Sequence, residues 1–363
     1  MSNRRRLIRI AAAGAGTLAA AVATGFVVER RIARARKAGA HESDELGGLR
    51  SDPVKVTARD GLVLHAEVDE VAPYENGSGK HSTDEATLVL VHGYALNLDC
   101  WHFQRKYFRG KRRVVLYDQR SHGRSERSAK ANASIDQLGH DLAAVLDQVV
   151  PEGPVVLVGH SMGGMSIMAF AQHHPELFGD RVVGAALVST TAGGLRPHKI
   201  VSSLIPDSVG GTVAQRLMAA LSRAPELVDS ARRRGSNIGF LVTDKFAFGE
   251  EVPASYVQFV DEMLARTSFA VLAEFFPHFE AHDKFEILQA FAAIPTSIIC
   301  GTKDLLTSIG HSRKMAKQVP SARLVEVAGA GHMVIMERAD KVNAALDELV
   351  VTAERRHAEA RAS

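Results

Sequence analysis

Cysteine is nearly absent from this chain of 363 residues, which has only Cys100 and Cys300, too few for a disulfide framework. Cys300 falls inside a strand pattern and reads as a small core residue, while Cys100 reads as structural, with a reactive thiol as its alternative. No internal repeat recurs along the chain, so the sequence does not read as a solenoid or propeller array. No H-E-x-x-H is present. His278 and His282 stand one helical turn apart without a third ligand, and neither a metal nor a cofactor is expected.

Excess basic charge is also missing from most of the chain, despite an isoelectric point near 8.8. Residues 1–37 hold nine basic residues and one acid, a net +8, which leaves the rest at −5 within the overall +3. The basicity therefore belongs to the leader, and nucleic acid is not an expected partner. Within that leader, residues 10–28 form a 19-residue uncharged run after Arg4-Arg5-Arg6. As a helix it would span about 28 Å, close to a hydrocarbon core. Only Ile10, Leu18, Val22, Phe26, Val27 and Val28 are strongly apolar, so insertion would be favourable by only about 2 to 4 kcal/mol. The expectation is a membrane-associated protein with a single N-terminal helix. The alternative is export through the twin-arginine-like Asn3–Arg9 stretch, with Ala21-Val22-Ala23 as a cleavage site. Similar basic flanks leave orientation open, and the oligomeric state is not legible.

Residues 38–52 read as a linker, 53–350 as the globular body and 351–363 as a polar tail. With 46% hydrophobic residues, the body can bury a full core. Residues 53–58 and 62–68 predict an opening hairpin through Arg59-Asp60-Gly61. Residues 73–86 predict a surface loop. From Thr87 onward apolar strands alternate with helical patterns, which predicts an α/β fold with a mostly parallel sheet and helices on both faces. About 100 residues separate Ser189–Gly194 from the strand at Thr296, too many for one crossover helix. With helical patterns at 213–221 and 256–267, this stretch predicts a helical cap over about 195–285. Phe240, Phe246 and Phe248 either line a pocket beneath it or pack cap to core.

The most informative stretch is Gly159-His160-Ser161-Met162-Gly163-Gly164, directly after the apolar run Val155–Val158. A serine flanked two residues away on each side by glycine suits a strand-to-helix turn that exposes a strained nucleophile, because side chains at 159 and 163 would collide. The pattern also occurs in ordinary strand-to-loop turns, so its surroundings decide its meaning. Upstream, the strand pattern Thr87–Val91 runs into His92-Gly93-Tyr94, whose Tyr94 N–H is a candidate oxyanion donor beside the Met162 N–H. Downstream, residues 296–301 end in Thr302-Lys303-Asp304, and residues 323–327 lead into Ala328-Gly329-Ala330-Gly331-His332. The candidate nucleophile, acid and base therefore follow the chain order Ser161, Asp304, His332.

With these motifs the sequence resembles the α/β-hydrolase family over roughly residues 53–350, in particular its cap-bearing, esterase- or lipase-like members of bacterial type. Tyr117–Ser125 resembles the D-x-R-G-x-G-x-S loop of such members, with Ser121 where glycine is usual. The resemblance implies a structural rather than catalytic loop, whose Asp118 and Arg120 brace the oxyanion turn. It also implies acyl transfer from a small-molecule ester through an acyl-enzyme on Ser161, and the expected leader and cap favour an apolar acyl chain. Alternatives are the same triad acting as a perhydrolase or haloperoxidase-like enzyme, a carbon–carbon bond hydrolase or an acyltransferase, and a non-catalytic ligand-binding protein of the same fold.

Overall fold

The Asp60-Gly61 turn folds Pro53–Thr57 (β1) back onto Val63–Asp69 (β2) as an antiparallel pair. Gly61 takes a φ of 83°, and the Ala58 N–H donates to the Leu62 carbonyl at 2.8 Å. The computed structural model describes residues 45–72, 85–195 and 243–362. Six further strands follow: Thr87–Val91 (β3), Val114–Tyr117 (β4), Val155–His160 (β5), Val182–Val188 (β6), Thr296–Gly301 (β7) and Arg323–Val327 (β8). They form one eight-stranded sheet in the order β1-β2-β4-β3-β5-β6-β7-β8. All pairs beyond the antiparallel β1–β2 and β2–β4 contacts are parallel.

Parallel strands covered on both faces must be apolar at every position, and β3, β4 and β5 are buried throughout. Their side chains alternate between two cores. Leu88, Leu90, Val114, Leu116, Val156 and Val158 face a cluster that includes Trp101 and Phe108, the latter from His102–Phe108 (α1). Val89, Val91, Val115, Val155 and Leu157 face the other cluster. That face is covered by Ile135–Val149 (α2) and Met162–His173 (α3), through residues such as Leu142, Val145, Ile167 and Phe170.

In the stretch expected to form a cap, residues 196–242 lie outside the described residues, and with them the helix expected at 213–221 and Phe240. Residues 243–247 are helical, followed by Ala254–Arg266 (α4) and Phe269–Ala281 (α5). Val257, Val260 and Met263 of α4 join the Trp101 core, whereas Val271, Phe275 and Phe279 of α5 pack with Met162 and Met165. Ile309–Gln318 (α6), the short Val334–Glu337 (α7) and Ala339–Ala362 (α8) complete the chain.

The expected membrane anchor, with export as its alternative, requires correction. Among the described residues no helix is long and apolar enough to cross a membrane, and residues 10–28 lie outside them. The 24-residue α8 has sufficient length but carries Asp340, Lys341, Asp347, Glu348 and Glu354.

Buried charge ties the antiparallel edge to the rest of the fold. Arg105 of α1 grips Asp69 with two hydrogen bonds of 2.8 Å and donates to Glu67 at 2.7 Å, all three side chains being buried. Buried neutral imidazoles are the second electrostatic feature. Burial first, then the charge of His122, pushes His92 down to about 3. Burial, then His332, pushes His160 down to about 3, and burial pushes His122 down to about 4.

Arg105→Met should remove the buried cation from two buried carboxylates, leaving them Ser51 and the more exposed Arg109 and Arg124, and cost about 3 kcal/mol in urea denaturation. Histidine in the unfolded chain titrates near about 6.5, so below that pH the unfolded chain takes up protons that folded His92, His122 and His160 refuse. Stability should therefore fall as pH is lowered from about 7 to about 4. Asp118, pushed up to about 6 by burial, opposes part of this loss because it gains a proton more readily when folded. His122→Asn removes one refusing group while keeping a donor for the Arg120 carbonyl, and its melting temperature should fall less steeply over the same pH range.

Candidate active site

β5 ends at His160, and the chain turns through Ser161 directly into α3. Ser161 has φ 52° and ψ −117°, a region L-residues rarely occupy and one that costs about 1 to 3 kcal/mol. Its N–H donates to the Val188 carbonyl at 2.9 Å, and its carbonyl accepts the Thr190 hydroxyl at 2.7 Å. A Cβ on Gly159 would come within 2.6 Å of the Gly163 and Gly164 backbone, and one on Gly163 would overlap the Val91 carbonyl. Met162 is the first residue of α3, where an N–H has no acceptor within the helix.

The His92-Gly93-Tyr94 turn abuts this elbow: a Cβ on Gly93 would lie 3.1 Å from the Ser161 Cβ. Neutral His92 donates from Nδ1 to the Gly93 carbonyl at 2.7 Å and accepts the Gln119 N–H at Nε2, 2.9 Å away. The Gln119 amide donates to the His92 carbonyl at 2.6 Å, and its oxygen accepts the Ser166 hydroxyl at 2.6 Å. Gln119 thus fastens the turn carrying Tyr94 to the helix carrying Met162. Asp118 accepts the Leu98 and Arg124 N–H groups at 2.7 and 2.8 Å. Arg120 forms a buried bidentate pair with Asp141, both contacts 2.6 Å. Ser121 takes φ 66°, which explains why glycine suits that position, and its hydroxyl accepts the Ser128 N–H at 2.9 Å.

Asp304 and His332, the candidate acid and base, follow the ends of β7 and β8. His332 donates from Nδ1 to Asp304 Oδ2 at 3.0 Å. Asp304 Oδ1 accepts the Leu306 and Thr307 N–H groups, each at 2.8 Å, and the Thr307 hydroxyl donates to Oδ2 at 2.9 Å. Burial opposes ionisation of Asp304, but the charge and hydrogen bond of His332 and the two Thr307 donors outweigh it, holding the carboxyl well below the usual range. His160 donates from Nε2 to the His332 carbonyl at 3.0 Å, with the two rings 4.9 Å apart.

Ser161, His332, Gly93, Tyr94 and His160 line one cavity of about 190 Å³, whose remaining described wall is Thr243 and apolar side chains. Asp304 lies behind His332, and the Met162 side chain turns away into the α5 core. The Tyr94 hydroxyl donates to the Leu272 carbonyl of α5 at 2.5 Å, joining the turn to the helices above it. Of the expected pocket phenylalanines, Phe246 lines the cavity and Phe248 packs in the core. Both cysteines are buried and free, and burial pushes the Cys300 thiol up to about 12 and Cys100 well above its ordinary value. Among the described residues no group of three or more His, Cys, Asp or Glu side chains could hold a metal. Gln119 and Ser166 carry no local signal in the sequence, whereas Thr307, three residues after Asp304, stands at the spacing of a local side-chain-bonded turn.

Residues 88–345 match the model of the alpha/beta hydrolase family. The chain is 27% identical over 271 residues to 3-oxoadipate enol-lactonase 2 of Acinetobacter baylyi, covering 74% of this chain and 89% of that protein. It is 27% identical over 259 residues to the dihydrolipoyllysine-residue acetyltransferase component of the acetoin cleaving system of Pseudomonas putida, spanning 70% of this chain but only 61% of that protein. A thermophilic esterase from Thermogutta terrifontis superposes with a TM-score of 0.61 at 20% identity, over 84% of this chain and all of the other. The enol-lactonase from Burkholderia xenovorans gives 0.62 at 23%, over 82% of this chain and all of the other. At such identities the superpositions speak for the fold alone. With the family match running from β3 into α8 and the sheet order, elbow and loops described above, this chain belongs to the alpha/beta hydrolase family and is a hydrolase.

Proposed function

We propose that this hydrolase cleaves carboxylic esters of small molecules through an acyl-enzyme on Ser161. The observation that carries the reading is the strained Ser161 in one cavity with His332, whose Nδ1 is held 3.0 Å from an ionised Asp304. That hydrogen bond orients the imidazole so that Nε2 is free of a proton and serves as general base. His332 takes the Ser161 hydroxyl proton as the oxygen attacks the ester carbonyl. The Tyr94 and Met162 N–H groups receive the developing oxyanion, each contributing about 3 kcal/mol to the barrier reduction. His332 then protonates the leaving alcohol. Water, activated by the same imidazole, releases the acid and restores Ser161.

Residues 243–281 supply the described part of a helical cap, and the chemistry of its lining favours an apolar acyl chain. Phe246, Ala247, Val260 and Leu264 face the cavity from above, with Leu96, Leu306 and Met333 around them. A substrate carboxylate set against this described wall would lose its hydration without gaining a cation, which is costly.

Ser161→Ala should abolish both p-nitrophenyl ester hydrolysis and fluorophosphonate labelling while leaving the circular dichroism spectrum and melting temperature intact; labelling that persists would refute the nucleophile. Gln119→Leu should lower kcat about ten- to hundredfold with little change in KM, because the two oxyanion donors lose their common brace. Steady-state kinetics that show unchanged kcat would remove Gln119 from that role.

A further inference from the structure

We propose that Glu337 is a positioning residue that holds the His332 loop against the cavity wall, keeping the base in register with Asp304 and Ser161. The inference rests on the reading of His332 as the base.

The Glu337 side chain is fully buried, and beyond a 4.0 Å ion-pair contact from Arg338 to Oε1 its hydrogen bonds come from backbone N–H groups. Oε2 accepts the Gly331 N–H at 2.7 Å and the Gly249 N–H at 3.1 Å, while Oε1 accepts the Glu250 N–H at 3.0 Å. Gly331 immediately precedes His332. Gly249 and Glu250 stand one residue beyond the helical turn 243–247, whose Phe246 and Ala247 line the cavity. One carboxylate therefore gathers donors from two segments more than 80 residues apart. A neutral acceptor could not satisfy three converging N–H groups equally well, since hydrogen bonds to an ionised carboxylate are about twice as strong.

The two segments touch without intervening side chains. A Cβ on Gly331 would overlap the Gly249 nitrogen, and one on Gly249 would overlap the Gly329 carbonyl. Just past the histidine, the Met333 N–H donates to the Ala247 carbonyl at 2.7 Å. Residues 331 and 333 are thus both fastened to the 247–250 segment, and His332 is carried between them. The Asp304 bond fixes the direction of the imidazole, whereas the Glu337 contacts fix where its backbone stands.

The test is Glu337→Gln, which keeps the shape but turns an N–H donor toward one of the three backbone donors. Expected are a kcat for p-nitrophenyl esters lowered about ten- to hundredfold, an equal loss in the rate of fluorophosphonate labelling, and a KM within about twofold. The low-field proton resonance of the His332 Nδ1–H shared with Asp304 should shift or broaden. A purely structural role would lower the melting temperature and leave these readouts unchanged per folded molecule. If Glu337→Gln does not fold, Glu337→Asp keeps the anion but is one methylene short of both segments, and the same losses are expected. Wild-type kcat, labelling rate and resonance in either folded variant would overturn the proposal. Should the wild-type protein neither hydrolyse esters nor label, the ester reading fails by itself, and the resonance alone decides the role of Glu337: displaced in the variant it supports positioning, unchanged it refutes it.

Discussion

The backbone at Ser161 is the constraint on which the rest of the site depends. A residue held at φ 52° and ψ −117° would relax unless the surrounding structure prevented it. Here the restraints come from three directions at once. The Val188 carbonyl at the end of β6 takes the Ser161 N–H, Thr190 takes its carbonyl, and Gly163 lies flat against the Val91 backbone of β3. The turn is thus clamped by the two strands that flank β5. Such a clamp requires parallel strands ending side by side, which the order β3-β5-β6 provides.

The other loops at this edge of the sheet are held by buried polar groups as well as by the apolar packing of Leu96, Leu98, Ala330 and Met333. His92, Gln119 and Ser166 form a connected set around the turn before the elbow, and the two Thr307 donors and the Leu306 N–H surround Asp304. Burying such groups costs several kcal/mol unless each is paired, and once paired they admit little alternative geometry. Loops this short have no core of their own, so directional bonds supply the precision that packing gives the strands. The neutral state of His92 belongs to the same design, since a charged imidazole could not accept the Gln119 N–H at Nε2.

The cavity divides its labour between two layers. The polar groups, the candidate catalytic residues among them, come from strand ends, while the 243–247 turn and α4 contribute apolar wall. The contacts between layers are few and specific: the Tyr94 hydroxyl to Leu272, the Thr267 hydroxyl to the Ala95 carbonyl at 3.1 Å, and the 247–250 backbone to the His332 loop. Wall and chemistry are therefore mechanically joined even though they come from separate parts of the chain.

Local sterics and hydrophobic periodicity were enough to read much of this from the sequence. The runs at 87–91 and 296–301 coincide with β3 and β7, because a strand buried on both faces announces itself in its own residues, and 323–327 coincides with β8, a partly exposed strand at the sheet edge. The glycines around Ser161 likewise disclose a turn with no room for side chains. The uncharged run at 10–28 shows the limit of such reading, since periodicity and length describe a segment and not its setting. What the sequence alone determined is the order Ser161, Asp304, His332 and the strand each follows. Only the tertiary structure decided that Gln119 braces the turn at Tyr94 and that Glu337 joins Gly331 to Gly249. Those hydrogen bonds link residues whose neighbours in the chain share no packing surface, so no local pattern records them. They exist only once the sheet has brought the strand ends to one edge.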